Sequence, residues 1–262
     1  MREAPNFKMR PFLEGSISPD EKKKMEADTW CGPTNHNLPL TQFHELHTKK
    51  WNEYLLQSVF QKDVFQGQTV INVGGGNGQE AEFILSRNVD SVVLVDIAPG
   101  QLASAKLRIE QHKLQNLQLI LCDAENLPIM NKRFGIGLIF FALHHFPFHQ
   151  NAVNELCRVS NKVVIIDIMN CGLTQFLNKF GLFLKEGNLI VNRVNESIVR
   201  QFLIDHNLTF TIQYFFMPPY YGNNRILIKG ICIAEKIINF LISKNCSVAK
   251  FFGNVAIIEG FE

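Results

Sequence analysis

The most regular part of the chain alternates two patterns. Short runs that are apolar at nearly every position give way to longer segments whose apolar residues recur every three or four places. Between 68 and 168 the short runs are QTVINV, SVVLVD, LQLILCD, IGLIFF and KVVIIDI, all rich in Val, Ile or Leu, and they predict strands covered on both faces. The segments Asn77–Ser86, Pro99–His112 and Gln150–Arg158 predict the helices between them. Strand–helix alternation implies a parallel sheet with right-handed crossovers. On the N-terminal side, Ser18-Pro19-Asp20-Glu21 reads as a helix start, with Ser18 as N-cap, Pro19 at the first position and Glu21 closing a capping box. A second helix is predicted over Thr41–Phe60, with Phe43, His47, Trp51, Tyr54 and Ser58 on one aromatic face. Beyond the core, the pattern predicts helices at 171–185, Glu196–His206 and Ile226–Ile242, and strands at TFTIQYFF and NVAIIEGF. The expected fold is α/β: a doubly wound, mostly parallel seven-stranded sheet with an antiparallel edge strand and added N- and C-terminal helices. The expected organisation is a helical cap over 1–66 and a main domain over 67–262, with a helical insertion near 171–190.

Composition narrows the function. Hydrophobic residues are 46% of the 262 and charged residues 19%, which suits one globular core. The net charge is only +2 and the Lys and Arg are scattered, so the basic stripe of a nucleic-acid binder is missing. The six cysteines are far apart and form no CxxC or Cys/His cluster, which argues against both a disulfide framework and a metal site. Reduced thiols and a start, MREAPNFKMRPF, without an apolar leader point to a cytoplasmic protein. The segment Ile226–Ile242 is interrupted by Lys229, Glu235, Lys236 and Asn239, so stable membrane insertion is not expected. The 22 phenylalanines and the apolar stretches at 171–185, 211–221 and 226–242 fit a pocket for an uncharged small molecule. A monomer or homodimer is expected.

Chemistry concentrates after the first core strand. VINVGGGNG places Gly74, Gly76 and Gly78 at G-x-G-x-G spacing before a helix, a turn in which backbone approaches a ligand closely. The third glycine of a dinucleotide fingerprint falls instead on Gln79, and no GK[ST] follows, so neither a dinucleotide nor a polyphosphate is indicated. The next strand ends in Asp96, 18 positions past Gly78, placed to accept hydrogen bonds from ribose hydroxyls. The third strand ends at Asp123 in CDAEN. A glycine turn and two acids along one carboxyl edge describe a site for an adenosine-containing ligand.

These residues resemble the class I S-adenosylmethionine-dependent methyltransferases, in particular the branch that includes ubiquinone and menaquinone biosynthesis enzymes. VINVGGGNG is similar to the first family motif, VDIAPGQLASAK to the second and CDAENLPI to the third. FGIGLIFFALHHF, followed by Glu155, Arg158 and Val159, resembles the stretch around the fourth strand. The resemblance covers about 68–168 and implies a Rossmann-like fold, S-adenosylmethionine as donor (S-adenosylhomocysteine as product) and a small-molecule acceptor. It implies donor contacts from Asn72, Gly74, Gly76, Gly78, Asp96, Ile97, Gln101, Asp123, Ala124 and Phe141. His144 and His145 lie near the expected methyl position and are candidate catalytic residues. Asp167 is expected to bind substrate or cap the next segment. His47, Trp51 and Tyr54 are candidates for a lid, and Trp51, Tyr220 and Tyr221 for acceptor contacts. Other histidines, His149 among them, are read as ordinary. The chain departs from the family at Asn72, where an acid is usual, at Gly135, where Asp is usual, and at VSNKV, which replaces a glycine turn. Asn72 and Gly135 motivate the alternative of a cofactor-binding partner subunit with weak or no catalysis.

Overall fold

Both faces of the central strands are buried, as their unbroken apolar runs require. Val70 and Ile71 point to opposite sides of the sheet and neither is exposed. The computed structural model describes residues 18–29, 52–60, 66–169, 171–179, 194–217 and 225–261. Its strands are β1 (Thr69–Val73), β2 (Ser91–Asp96), β3 (Leu117–Leu121), β4 (Phe134–Phe140), β5 (Ser160–Ile168), β6 (Thr209–Phe215) and β7 (Val255–Phe261). They form one seven-stranded sheet in the order β3-β2-β1-β4-β5-β7-β6. The first five run parallel, and β7 is antiparallel to both β5 and β6. The antiparallel strand expected near the edge is thus β7, slotted between β5 and β6.

The helices are α1 (Pro19–Thr29), α2 (52–60), α3 (Gln79–Leu85), α4 (Pro99–His112), α5 (His149–Val159), α6 (Gly172–Lys179), α7 (Glu196–Asp205), α8 (Arg225–Ile242) and α9 (Cys246–Phe252). One face of the sheet is covered by α5 and α7 through Val153, Leu156, Val199 and Leu203. The other is covered by α2, α3 and α4 through Leu55, Leu56, Ile84 and Ala105. Ser18 caps α1 as its sequence predicts: its Oγ accepts from the Glu21 amide (3.2 Å), and Glu21 Oε2 accepts from the Ser18 amide (2.9 Å). Helix α9 is an addition to the expected set. Its signal is Asn245, whose side chain accepts from the Ser247 and Val248 amides at the helix start.

At Gly135, where the family pattern has Asp, a Cβ would lie 2.0 Å from Gln68 Oε1, so a larger residue would require the end of the flexible Gln68 side chain to move. The family-like Glu155 and Arg158 also serve the fold. Arg158, at the end of α5, donates to the Leu127 and Ile129 carbonyls and to Asn131 Oδ1, holding the segment after β3 against the helix.

Because β1 to β5 run parallel, their carboxyl ends share one edge. The β1 glycine turn, Asp96, Cys122-Asp123, Phe141 and Asp167 all lie there.

Candidate active site

Topology places the glycine turn next to β2, because β2 pairs directly with β1. The Gly74 and Gly75 amides both donate to the Val95 carbonyl, at 2.8 and 3.1 Å. Gly74, Gly76 and Gly78 have φ of 70°, 51° and 78°, the left-handed region that a side chain strains. The turn is packed from outside. A Cβ on Gly74 would sit 2.6 Å from Ala142 Cβ, whereas one on Gly76 would meet only Gln101 Oε1, at 3.5 Å. Gln101, the first-turn residue of α4 named from the sequence, is therefore buried beside the turn.

Asp96 ties the turn to β2. Its Oδ2 accepts from the Gly76 amide (2.9 Å) and its Oδ1 from the Ala98 amide (2.8 Å). Burial pushes this carboxyl above its ordinary range, against the pull of those amides. Ile97 follows it, half-buried. Asn72, on β1, is 1% exposed, and neither polar atom of its side chain has a hydrogen-bond partner among the described residues. A Cβ on Gly75 would lie 2.8 Å from Asn72 Nδ2, so this unsatisfied amide sits against the turn. A buried amide without partners is costly and marks a place for a polar ligand group.

Asp123 stands at the end of β3. Its Oδ1 accepts from the Glu125 amide (2.9 Å), and its Oδ2 is 2.6 Å from Lys23 Nζ of α1. Lys23 also reaches Glu125 Oε2 at 2.7 Å, while Glu125 Oε1 accepts from the Phe148 amide. Ala124 is packed into the core. The neighbouring Cys122 thiol is pushed up to about 11 by burial and the Asp123 charge, so it stays protonated at neutral pH.

The far side of the edge is built by β4 and β5. Phe141, at the end of β4, has φ 47°, rare for a bulky residue, and its amide donates to the Ile166 carbonyl (2.8 Å). The chain then enters a 3₁₀ turn, Leu143–His145. His144 is 4% exposed, and its Nδ1 lies 2.5 Å from Oδ1 of fully buried Asp167. Asp167 also accepts from the His144 amide (3.3 Å) and the Ile168 amide (2.6 Å). The His145 ring lies 4.0 Å from that of His144. His149 Nε2 is buried without a partner among the described residues, and burial holds this imidazole below its ordinary pKa.

The sequence reading named most of this edge but missed four of its features. Lys23, Glu125 and His149 were not singled out for function, and Asp167 was not paired with His144. Their contacts span 100, 102 and 23 residues of chain or depend on burial, so no local pattern carried them. Tyr54 lies elsewhere. It is 53% exposed and makes an edge-on contact with Phe215, at 5.9 Å. It also lines a cavity of about 960 Å³ beside β6, with Tyr214, Phe215, Lys236, Asn239 and Ile242. The sheet order separates β6 from β1 by four strand steps, about 19 Å. His47, Trp51, Tyr220 and Tyr221 lie outside the described residues.

The sheet order, the glycine turn after β1 and the acids that follow β2 and β3 resemble those of the class I S-adenosylmethionine-dependent methyltransferase fold. Residues 71–165 match the family described as a methyltransferase domain. On sequence, the chain is similar to ubiquinone/menaquinone biosynthesis C-methyltransferase UbiE of Blochmanniella floridana, 29% identical over 126 residues, 45% of this chain and 47% of that protein. It is also similar to demethylmenaquinone methyltransferase of Paenarthrobacter aurescens (strain TC1), 27% identical over 113 residues, 43% of this chain and 41% of that one. The chain spans about half the length of the curated relatives it matches. In fold it resembles magnesium protoporphyrin IX methyltransferase of Synechocystis PCC 6803, solved with bound SAH (TM-score 0.62, 12% identity, 92% of this chain and 100% of that one). A second fold relative is the YcgJ protein of Bacillus subtilis (TM-score 0.60, 19% identity, 80% and 98%). The donor of this domain class is S-adenosylmethionine, and the residues present fit it: the bare turn at Gly76 admits a ligand, and the unpartnered Asn72 amide offers it hydrogen bonds.

Proposed function

We propose that this protein transfers a methyl group from S-adenosylmethionine to a small, hydrophobic acceptor by direct in-line displacement. The observation that carries the reading is the buried Asn72 amide, unsatisfied beside a glycine turn that Asp96 holds in shape. Asn72 and the turn at Gly74, Gly76 and Gly78 take the methionine end, and Asp96 takes the ribose hydroxyls. Ile97, Gln101, Ala124 and Phe141 line the adenosyl path, and Asp123 accepts from the adenine amino group. When bound, the donor supplies a methyl group already activated on a sulfonium. The chain therefore contributes mainly position and exclusion of water. Where the acceptor carries a proton, His144 removes it through Nε2, since Nδ1 is held by Asp167. His145 packs at a tilt against the His144 ring and shapes its surroundings.

The acceptor class draws support from the relatives, which are named for ubiquinone and menaquinone biosynthesis and for demethylmenaquinone. Trp51, within a proposed helical cap over residues 1–66, and Tyr220 and Tyr221, within the 67–262 domain, are proposed as acceptor contacts on sequence grounds. No helix among the described residues is long and apolar enough to cross a membrane. The accompanying reading is a cytoplasmic monomer or homodimer.

Calorimetry with S-adenosylmethionine and S-adenosylhomocysteine, followed by transfer of labelled methyl to a panel of quinols and other small hydrophobic acceptors, tests the proposal. Binding followed by labelled product is expected; binding without transfer to any acceptor would leave a cofactor-binding subunit. Asp96→Ala is expected to weaken donor binding by about 1–3 kcal/mol, roughly fivefold to 150-fold, through lost hydrogen bonds to ribose and a loosened turn. Unchanged affinity would remove Asp96 from the site.

A further inference from the structure

Helix α1, PDEKKKMEADT, carries no apolar stripe. Among its described side chains Met25 is exposed, and the most buried is Lys22. A helix polar on all sides gains little from hydrophobic packing, so specific charged contacts must hold it in place. Lys23 makes such a contact: its ammonium sits between Asp123 (2.6 Å) and Glu125 (2.7 Å), with its side chain 22% exposed. The two carboxylates differ in their other duties. Glu125 is 3% exposed and bonded to the Phe148 amide, in the loop that carries the histidines. Asp123 is 32% exposed, and its Oδ1 is already engaged by the Glu125 amide, so Oδ2 is the oxygen left for a ligand. Lys23 occupies that oxygen.

We propose that α1 is an electrostatic strap across the adenine end of the donor site, in which Lys23 and the donor's adenine amino group compete for Asp123 Oδ2. This rests on the donor reading above. On entry of the donor, Lys23 gives up Asp123 and keeps only Glu125, so α1 loosens as the site fills. Both ligands of Asp123 are hydrogen-bond donors, but only Lys23 carries a full charge, so the strap weakens with salt more than the adenine contact does. Burial alone would lower the Lys23 pKa, but the hydrogen bonds and negative charge of Asp123 and Glu125 together outweigh it and raise it, so Lys23 stays charged.

The test compares the full chain with Lys23→Met, using S-adenosylhomocysteine as the probe and calorimetry at low and high salt. Lys24→Met, on the exposed side of the same helix, is the control. The strap predicts that Lys23→Met binds the probe about threefold to tenfold more tightly at low salt and that the difference shrinks at high salt. It also predicts that the α1 amides exchange hydrogen faster in the wild type when the probe is added. Binding by the variant but not by the wild type would be the same result in stronger form. Equal or weaker binding by Lys23→Met, or α1 exchange indifferent to the probe, would overturn the strap while leaving the donor site standing. Binding to neither protein would overturn the donor reading, and the competition with it.

Discussion

Asp167→Asn is expected to slow methyl transfer by about 10²–10⁴-fold to an acceptor that must lose a proton, with donor affinity held within about twofold. The carboxylate is fully buried and its Oδ1 lies 2.5 Å from His144 Nδ1. A buried carboxylate in that position requires Nδ1 to carry a proton and to donate it, which leaves Nε2 as the basic nitrogen. Asparagine keeps the shape but presents an amide. Its NH₂ facing Nδ1 moves the ring proton to Nε2 and removes the base; its oxygen facing Nδ1 keeps the tautomer but no longer stabilises the imidazolium. In the proposed mechanism Asp167 acts through His144, as a positioning residue. The measurement is kcat and KM for labelled-methyl transfer across pH, alongside calorimetry for the donor. A change in kcat with KM and donor affinity preserved supports the role. His144→Ala partly rescued by added imidazole supports it from the other side. Unchanged turnover in Asp167→Asn, or a loss of donor binding equal to the loss of rate, would make the pair structural.

Arg158→Ala is expected to lower stability by about 2–3 kcal/mol, read as a shifted denaturation midpoint. The guanidinium donates to both oxygens of Glu155 (2.8 and 2.7 Å), to the Ile129 and Leu127 carbonyls (2.6 and 2.9 Å) and to Asn131 Oδ1 (2.8 Å). Each such bond contributes about 0.5–1.5 kcal/mol net, and partial exposure of the side chain keeps the sum toward the low end. Its removal also frees Glu155, whose Oε2 accepts from the Leu127 amide. The Arg158 hydrogen bonds, helped by that amide, hold the Glu155 carboxyl below its unfolded value of 4.5. The sign follows from a depressed folded pKa. This contribution is full above pH 4.5 and is lost as pH falls through the lower, folded value. Acid titration of stability should therefore be shallower in Arg158→Ala than in the wild type. A variant with wild-type midpoint and acid limb would show that the loop after β3 is held by other contacts.

Much of this architecture is legible in local pattern. The helix at Pro99–His112 has the predicted bounds, because proline at its start and an amphipathic run set both ends without help from the rest of the chain. Ser18 and Glu21 close their capping box because that motif is complete within four residues. The glycine turn is equally local: four glycines in five positions have few uses other than close backbone approach. Helix α9 was less legible, since seven residues carry too short a period to stand out and only the Asn245 cap announced it.

What local pattern leaves open is the set of long-range partners. The order of chemical groups along the chain placed Gly74, Asp96 and Asp123 at successive strand ends, and parallel pairing of β1, β2 and β3 then had one edge on which to put them. Side-chain period and strand direction suffice for that, and both are properties of short segments. The Lys23 bridge to Asp123 and the His144–Asp167 pair follow from no such rule. They arise where segments distant in sequence meet, and ionic and imidazole contacts have no periodic signature. Burial, which makes those contacts strong, is a property of the assembled sheet and its covering helices. The residue types were present in the chain from the outset; folding supplied the distances at which they act.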